Sequence, residues 1–542
     1  MRKKNEIVPL TITGMTADGN GVGRIDGETV FVPRTAIGDR LQCRIVKALP
    51  TYAFGIIESL EEPSPDRAEP DCPVYAACGG CAFRHITYGA ECAVKQQVVE
   101  DAFVRIGGLK PEFLPILGCD TPAGYRNKAQ YPVGSQNGQA VCGFYAKRSH
   151  RIVPYMNCPL QPSLFGELLE AAMRLIQDMG IAPYEEQQGT GLLRHLYLRQ
   201  GYHSGELMLC FVVTRPARKQ LMPLCEALKA RFPQLTSLCM NVNSARTNVI
   251  LGKHTETLLG ADVIRDTMCG IRLQLSPHAF YQVNTAQAER LYGIAAEFAQ
   301  LTGNETLLDL YCGAGTIGLS MAHRVKKLIG VEIIPQAVEN ARKNAAANGI
   351  ANAEFFCGDA GKIAQRLAER GESPDVIVVD PPRKGCDQAT INAVVQMAPR
   401  RIVMISCNPA TAARDCALLD KLGYRTNQVR AVDMFPRTGH VETVVLLSKL
   451  KSTHHIEVEL KTDELDLTSS ESKATYDEIK TYVKEHTGLT VSSLNIAQVK
   501  QKCGIIGREN YNKSKSKNSR QPKCPKEKEE AIVEALKFFK MI

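Results

Sequence analysis

A thiol stands at the end of an apolar run in Ile402-Val403-Met404-Ile405-Ser406-Cys407-Asn408-Pro409. The run predicts a buried strand that the proline cannot continue, which puts Cys407 at a strand's carboxyl end. Ligands bind at that edge of an open α/β sheet, so a thiol there is placed for nucleophilic chemistry. A lone cysteine is otherwise read as a small buried hydrophobe. Here the neighbouring segments argue for chemistry. Asp375 to Val379 reads as a strand that delivers Asp380-Pro381-Pro382-Arg383 to the same edge, and Glu442 opens a late strand-like run, His440 to Leu447. A carboxylate in such a position is commonly just solvated.

The element that must feed this edge begins near residue 305, where a pattern of strand, turn and helix repeats. Thr306 to Leu310 reads as a strand, and Tyr311-Cys312-Gly313-Ala314-Gly315-Thr316-Ile317-Gly318 turns it into a helix. Gly313 and its fellow glycines allow a ligand to approach the backbone and the helix N-terminus. Glu332 lies about 20 residues further on, at a strand end where an acid can hold ribose hydroxyls. Asp359 ends a third strand and can meet an adenine amino group. No Gly-Lys-Ser/Thr phosphate grip follows the turn, so a nucleoside-containing cofactor without a triphosphate is favoured over ATP.

A second chemical signal lies far upstream. Cys72, Cys78 and Cys81 form a C-x5-C-x2-C run around Gly79-Gly80, and Cys158-Pro159 offers a fourth sulfur. Four thiolates suit tetrahedral zinc or an iron–sulfur cluster, and the spacing alone does not choose. Before this run, residues 5 to 60 carry four or five short strand-like segments broken by Gly, which predicts a small closed barrel. Arg24, Arg34, Lys47, Tyr52 and Phe54 could serve single-stranded nucleic acid on its surface, or could simply be solvated. Tyr125-Arg126-Asn127-Lys128 with Tyr131, and Lys147-Arg148 with His150-Arg151, repeat that ambiguity between RNA-facing cations and an ordinary solvated face.

The chain is too long for one core. Its net charge of +9 favours polyanionic partners over acidic ones. No window reaches the roughly 20 apolar residues of a membrane span, and no apolar export signal follows Met1-Arg2-Lys3-Lys4, so a cytoplasmic protein without membrane association is expected. Nineteen cysteines in that setting speak for metal, cluster or catalytic thiols rather than disulfides. The expected domains are a barrel at 1–60, a mixed α/β segment at 61–280, an α/β domain of Rossmann type at 281–450, a Ser/Thr/Asp/Glu-rich linker at 451–473 and a basic helical extension at 474–542. Helical spacing covers Thr475 to Lys502 and Lys526 to Met541. Between them runs Lys513, Lys515, Lys517, Arg520, Lys523 and Lys526, an RNA-binding or a merely solvated loop.

Taken in order, the barrel, the four cysteines, Phe280-Tyr281-Gln282-Val283-Asn284, Asp309-Leu310-Tyr311-Cys312-Gly313, Asp380-Pro381-Pro382-Arg383, Ser406-Cys407-Asn408-Pro409 and His440-Val441-Glu442 resemble the RNA (uracil-5-)-methyltransferase family. The likeness is greatest to bacterial enzymes acting on 23S ribosomal RNA, and it covers roughly residues 5 to 450. It implies a TRAM-like barrel, a central α+β domain with a [4Fe-4S] cluster on Cys72, Cys78, Cys81 and Cys158, and S-adenosyl-L-methionine as methyl donor. By the family's pattern Gln282, Tyr311, Glu332 and Asp380 resemble cofactor-site residues, Cys407 the nucleophile and Glu442 the base. Thr316 departs from the pattern, since some relatives have Asn there. The chemistry agrees with these roles. Carbon 5 of uracil is too weak a nucleophile unaided, so a thiolate must add at carbon 6, and a base must later remove the carbon 5 proton. Asp380 or Gln282 could hydrogen-bond the uracil edge, and the base must leave its stack to enter. The expected protein is therefore a monomeric 23S rRNA methyltransferase. The alternatives are a methyltransferase for the T-loop uridine of transfer RNA, whose relatives typically lack the barrel and the cysteines, and a non-catalytic iron–sulfur RNA-binding protein, which leaves Cys407 and Glu442 unexplained.

Overall fold

The computed structural model describes residues 3–450, 476–503 and 524–538. They fall into two units, Met1–Lys451 and Ser452–Ile542.

In the first unit, strands Ile7–Met15, Asn20–Ile25, Glu28–Pro33, Arg40–Ala48 and Tyr52–Glu62 close into the expected barrel. Alternation in the first strand turns Val8, Leu10 and Ile12 inward. The strand Asn20–Ile25 is obscured in the sequence by two glycines that packing demands: a Cβ on Gly23 would lie 2.6 Å from the Thr11 carbonyl oxygen. Phe31, Tyr52 and Phe54 meet ring to ring on the barrel, with centroids 5.6–5.7 Å apart.

A seven-stranded sheet follows, in the order His254–Gly260, Leu235–Val242, Leu207–Val213, Leu193–Gln200, Lys128–Gln136, Gln139–Tyr145, Ile152–Pro154. Helices Ser163–Asp178 and Arg218–Arg231 share its core, through Phe165, Leu168, Leu169, Leu224 and Leu228.

The eight-stranded sheet that carries the chemistry runs Ala353–Cys357, Lys327–Glu332, Thr306–Leu310, Val376–Val379, Arg401–Ser406, Glu442–Lys449, Tyr424–Val432, Glu112–Leu117. The first five are parallel. Val376–Val379 is buried throughout, as a parallel strand covered on both faces must be. Each such side chain contributes about 1.5–3 kcal/mol relative to exposure. From Thr306–Leu310 the chain winds outward to Ala353–Cys357 and then returns to the other side. The strand order thus reverses between Thr306–Leu310 and Val376–Val379, which is where open α/β sheets bind ligands. The last strand of this sheet comes from well upstream: Glu112–Leu117 pairs in parallel with Tyr424–Val432. The segment 61–280 therefore contributes to three sheets, these two and the antiparallel pair Ile264–Met268 with Ile271–Leu275.

In the second unit, helices Tyr476–Thr487, Ser493–Lys502 and Lys526–Phe538 enclose Ile479, Val483, Ile496, Val499, Ile532 and Leu536. The single helical stretch expected over 475–502 is broken near Gly488, which takes a left-handed φ of 70°. The linker 451–473 and the basic positions Lys513, Lys515, Lys517, Arg520 and Lys523 lie outside the described residues. Among the described residues, no helix is long and apolar enough to cross a membrane.

Candidate active site

Strand Arg401–Ser406 ends one residue before Cys407, and Pro409 opens the next helix. Asn408 caps that helix by accepting from the Ala410 N–H at 3.2 Å, and its amide donates to the Arg383 carbonyl at 3.1 Å. The turn holding the thiol is thereby tied to the Asp380–Arg383 segment. The last registered pair between Arg401–Ser406 and its antiparallel neighbour is Ser406 with Thr443, reinforced by a 3.0 Å bond from the Thr443 hydroxyl to the Ser406 carbonyl. One step beyond it stand Cys407 and Glu442.

Electrostatics joins these groups. Burial pushes the Cys407 thiol up, Glu442 and Asp380 push it further, and Arg383 opposes them. Glu442 is 7% exposed. Its burial, then the Asp380 charge, lifts it to about 8 against the pull of Arg383. Asp380 is lifted by burial to about 7. Two carboxylates thus titrate near neutrality beside a half-buried thiol, in the range where a group can both accept and release a proton.

Asp309, Tyr311, Gly313, Glu332 and Asp380 gather at the ends of three adjacent strands. Tyr311 has φ of 65°, a left-handed conformation rare without glycine, and its hydroxyl lies 3.2 Å from the Thr390 hydroxyl. Glu332 accepts from the Gly313 N–H at 3.1 Å and the Ile334 N–H at 2.8 Å. Asp359 caps a helix by accepting from the Lys362 N–H at 3.1 Å. Burial pushes the Tyr292 hydroxyl up, and Thr316 and Gln282 oppose that rise. Asp309, given no role from sequence, accepts from the Gly318 N–H at 2.9 Å through one oxygen, while the other is buried without a partner. Burial, together with Asp380 and Glu332, raises it to about 7. Three interacting carboxylates, one with an unpartnered oxygen, fit a cationic cofactor, and S-adenosylmethionine carries both a sulfonium and an ammonium. The signal for Asp309 was a lone charge inside an otherwise apolar strand.

A cavity of about 780 Å³ opens on Cys407. Met15–Asp18 of the barrel, Gly79–Cys81, Thr438–Val441 and the cations Arg105, Lys147 and Arg383 line it. That volume is in the range of ligand pockets, and its cations suit a phosphate backbone.

Cys72, Cys78, Cys81 and Cys158 line a separate cavity of about 250 Å³ together with Arg84, Arg126 and Lys128. The expected metal or cluster centre is corrected in one respect: among the described residues, no group of three or more His, Cys, Asp or Glu closes on a single point as a metal ion requires. Burial, with the neighbouring cysteines, pushes the thiols of Cys81 and Cys158 up toward the protonated form, whereas a metal takes thiolates. The four sulfurs encircle a space. Arg84 counters them by donating to the Cys81 sulfur at 3.4 Å, and the Gly80 N–H donates to Cys78 at 3.4 Å.

Comparison with known proteins agrees with this geometry. The family profile described as tRNA (Uracil-5-)-methyltransferase matches residues 204–450, and the TRAM domain profile matches residues 2–57. The chain is 43% identical over 445 residues to an uncharacterized RNA methyltransferase of Halalkalibacterium halodurans, covering 82% of this chain and 97% of that one. It is 42% identical over 450 residues to one of Bacillus cereus, covering 83% and 98%. Among solved structures, the Pyrococcus abyssi tRNA (uracil-54, C5)-methyltransferase in complex with S-adenosyl-L-homocysteine aligns with a TM-score of 0.65 and 25% identity, over 81% of this chain and 100% of that one.

Proposed function

Because the chain belongs to the tRNA (uracil-5-)-methyltransferase family of S-adenosylmethionine-dependent RNA methyltransferases, we propose that it methylates carbon 5 of a specific uridine in 23S ribosomal RNA, giving 5-methyluridine. The observation that carries the reading is the placement of Cys407 and Glu442 one step past the same registered strand pair, at the edge that also holds the cofactor turn. The thiolate of Cys407 adds to carbon 6 of uracil, and the ring becomes an enolate nucleophilic at carbon 5. Gln282, Tyr311, Gly313, Glu332 and Asp380, with Asp359 at the adenine, would hold S-adenosylmethionine, which would supply the methyl group to carbon 5 and leave as S-adenosylhomocysteine once its S–CH3 bond breaks. Glu442 then takes the carbon 5 proton, the double bond re-forms, and the Cys407 thiolate leaves. The 780 Å³ cavity admits the unstacked base, with Arg105, Lys147 and Arg383 along its wall.

Transfer RNA is the second reading, favoured by the Pyrococcus abyssi structure. That structure aligns over 81% of this chain and all of its own length. Mapping 5-methyluridine in 23S rRNA and in tRNA from cells with and without this gene decides. We expect loss at an rRNA position alone, and loss confined to the tRNA T-loop would move the substrate.

A [4Fe-4S] cluster at Cys72, Cys78, Cys81 and Cys158 belongs to the same reading, supported by four sulfurs around one cavity with Arg84 to balance their charge. Bound there it would cross-link two chain segments, a structural role next to the wall of the Cys407 cavity, which Cys81 also lines. Protein purified without air should be brown with about four irons per chain, and Cys78→Ser should bleach it and lower its melting temperature. One zinc and no iron in that preparation would refute the cluster.

A further inference from the structure

The steps above leave unused a buried charge network between helix Tyr88–Asp101 and the segment leading into Glu442. Lys95 Nζ donates to Glu91 Oε1 and Asp433 Oδ1, each at 2.7 Å, and to the Phe435 carbonyl at 3.2 Å. The Tyr88 hydroxyl donates to Asp433 Oδ2 at 2.8 Å. The Arg437 N–H donates to Glu91 Oε1 at 2.6 Å, and its guanidinium lies 3.4 Å from Glu91 Oε2. Glu91, Lys95 and Asp433 are essentially inaccessible to solvent. Two cations face two anions, the arrangement in which buried charge persists and in which losing one partner strands the others.

The same segment is tied elsewhere. The Met434 carbonyl accepts from the Asn284 amide at 3.1 Å, the Pro436 carbonyl from the Tyr125 hydroxyl at 3.0 Å and the Arg437 carbonyl from the Ala82 N–H at 2.7 Å. Arg437 itself holds a left-handed φ of 69°. Only Thr438–Val441, which line the large cavity, separate this anchor from Glu442. Cys407 is held differently, by its own strand and by the Asn408 cap.

We propose that Glu91, Lys95, Asp433 and Arg437 are positioning residues for Glu442, fixing the loop that sets its carboxylate beside the uracil ring. The proposal rests on the roles given above to Cys407 and Glu442. It predicts a selective defect. In the affected step the carbon 5 proton passes to Glu442, the C–H electron pair becomes the carbon 5–carbon 6 double bond, and the carbon 6–sulfur bond breaks with its electrons returning to Cys407. Addition and methyl transfer precede that step and do not need Glu442.

The test follows single turnovers of labelled substrate RNA on denaturing gels, using the full-length protein. Three variants are compared: Lys95→Met, the charge-balanced Lys95→Met/Asp433→Asn, and Tyr88→Phe, which deletes the bond to Asp433 and the 2.7 Å bond that the hydroxyl accepts from the Cys119 N–H. Formation of the RNA–protein adduct and methyl transfer should stay near the wild-type rate. Adduct resolution should slow about ten- to a hundredfold in the charge variants and a few-fold in Tyr88→Phe. Should Lys95→Met fail to fold, the double variant and Tyr88→Phe carry the test. Wild-type resolution in a folded variant overturns the proposal, as does an equal loss of addition and resolution, which general loosening would give. Glu442→Gln is the control. If it traps no adduct, the reading of Glu442 falls and takes this role with it; if it traps adduct and the network variants do not, the network's role alone falls.

Discussion

Cys407→Ala is expected to abolish methylation, with a rate loss on the order of a millionfold, as for other enzymes deprived of their nucleophile. No covalent RNA–protein band should appear at any time of incubation. The expected loss is this large because carbon 5 of uracil needs the thiolate's addition at carbon 6, and no second sulfur shares the position at the end of Arg401–Ser406. The fold should survive. Cys407 is half-buried, it ends a strand without filling a core, and losing one sulfur there should shift stability by about 1 kcal/mol or less. S-adenosylmethionine affinity should also persist, because the cofactor turn around Gly313 is held by Glu332. Melting curves and ligand titration separate a dead site from a lost fold. Since burial, Glu442 and Asp380 all hold the thiol up, the adduct-forming step of the wild-type enzyme should accelerate as pH rises. Retained methylation by the alanine variant would end the nucleophilic mechanism.

Much of this site was legible because its signals are local. Cys407 reads as a strand end because Pro409 cannot extend a strand, and Pro409 indeed opens the following helix. The glycine-rich turn and Glu332 follow from a spacing that parallel strands and crossover helices impose. Glu442 was a different matter: the residues alone gave a carboxylate at a strand start, and only family resemblance suggested a role. Its pairing with Cys407 depends on the register between Arg401–Ser406 and Glu442–Lys449. Groups joined across long separations left no local trace. Lys95 meets Asp433 over 338 residues, and neither periodicity nor composition reveals a buried lysine on a helix. Glu112–Leu117 joins its sheet over a similar distance, which is why 61–280 reads as one segment yet contributes to more than one sheet. Asn20–Ile25 was hidden by glycines kept for close packing, a requirement that exists only once the barrel has closed.

Glu442→Gln should fail in a different way. The amide keeps the carboxylate's shape and hydrogen-bonding capacity but cannot accept the carbon 5 proton. The variant should therefore add to uracil and transfer the methyl group, then stall with RNA attached, visible as a slowly migrating band that carries the methyl label. In the wild-type enzyme the base works only when ionised. With Glu442 lifted to about 8, resolution of the adduct should slow about tenfold for each pH unit below that value. The same shift bears on stability. Its folded pKa lies above the unfolded value near 4.5, so the folded state binds the extra proton, and the stability linked to it is complete below about pH 4.5 and lost as pH rises through about 8. At pH 7 the penalty is roughly 3 kcal/mol. Gln has no proton to lose, so the variant should melt above the wild type at pH 8, and the gap should close toward pH 5. A variant that is both hyperstable at alkaline pH and trapped on its RNA would connect the energetic cost of burying Glu442 to the step that uses it. Wild-type turnover by Glu442→Gln would instead require another base, and Asp380, lifted to about 7 at the same edge, is the group to replace next.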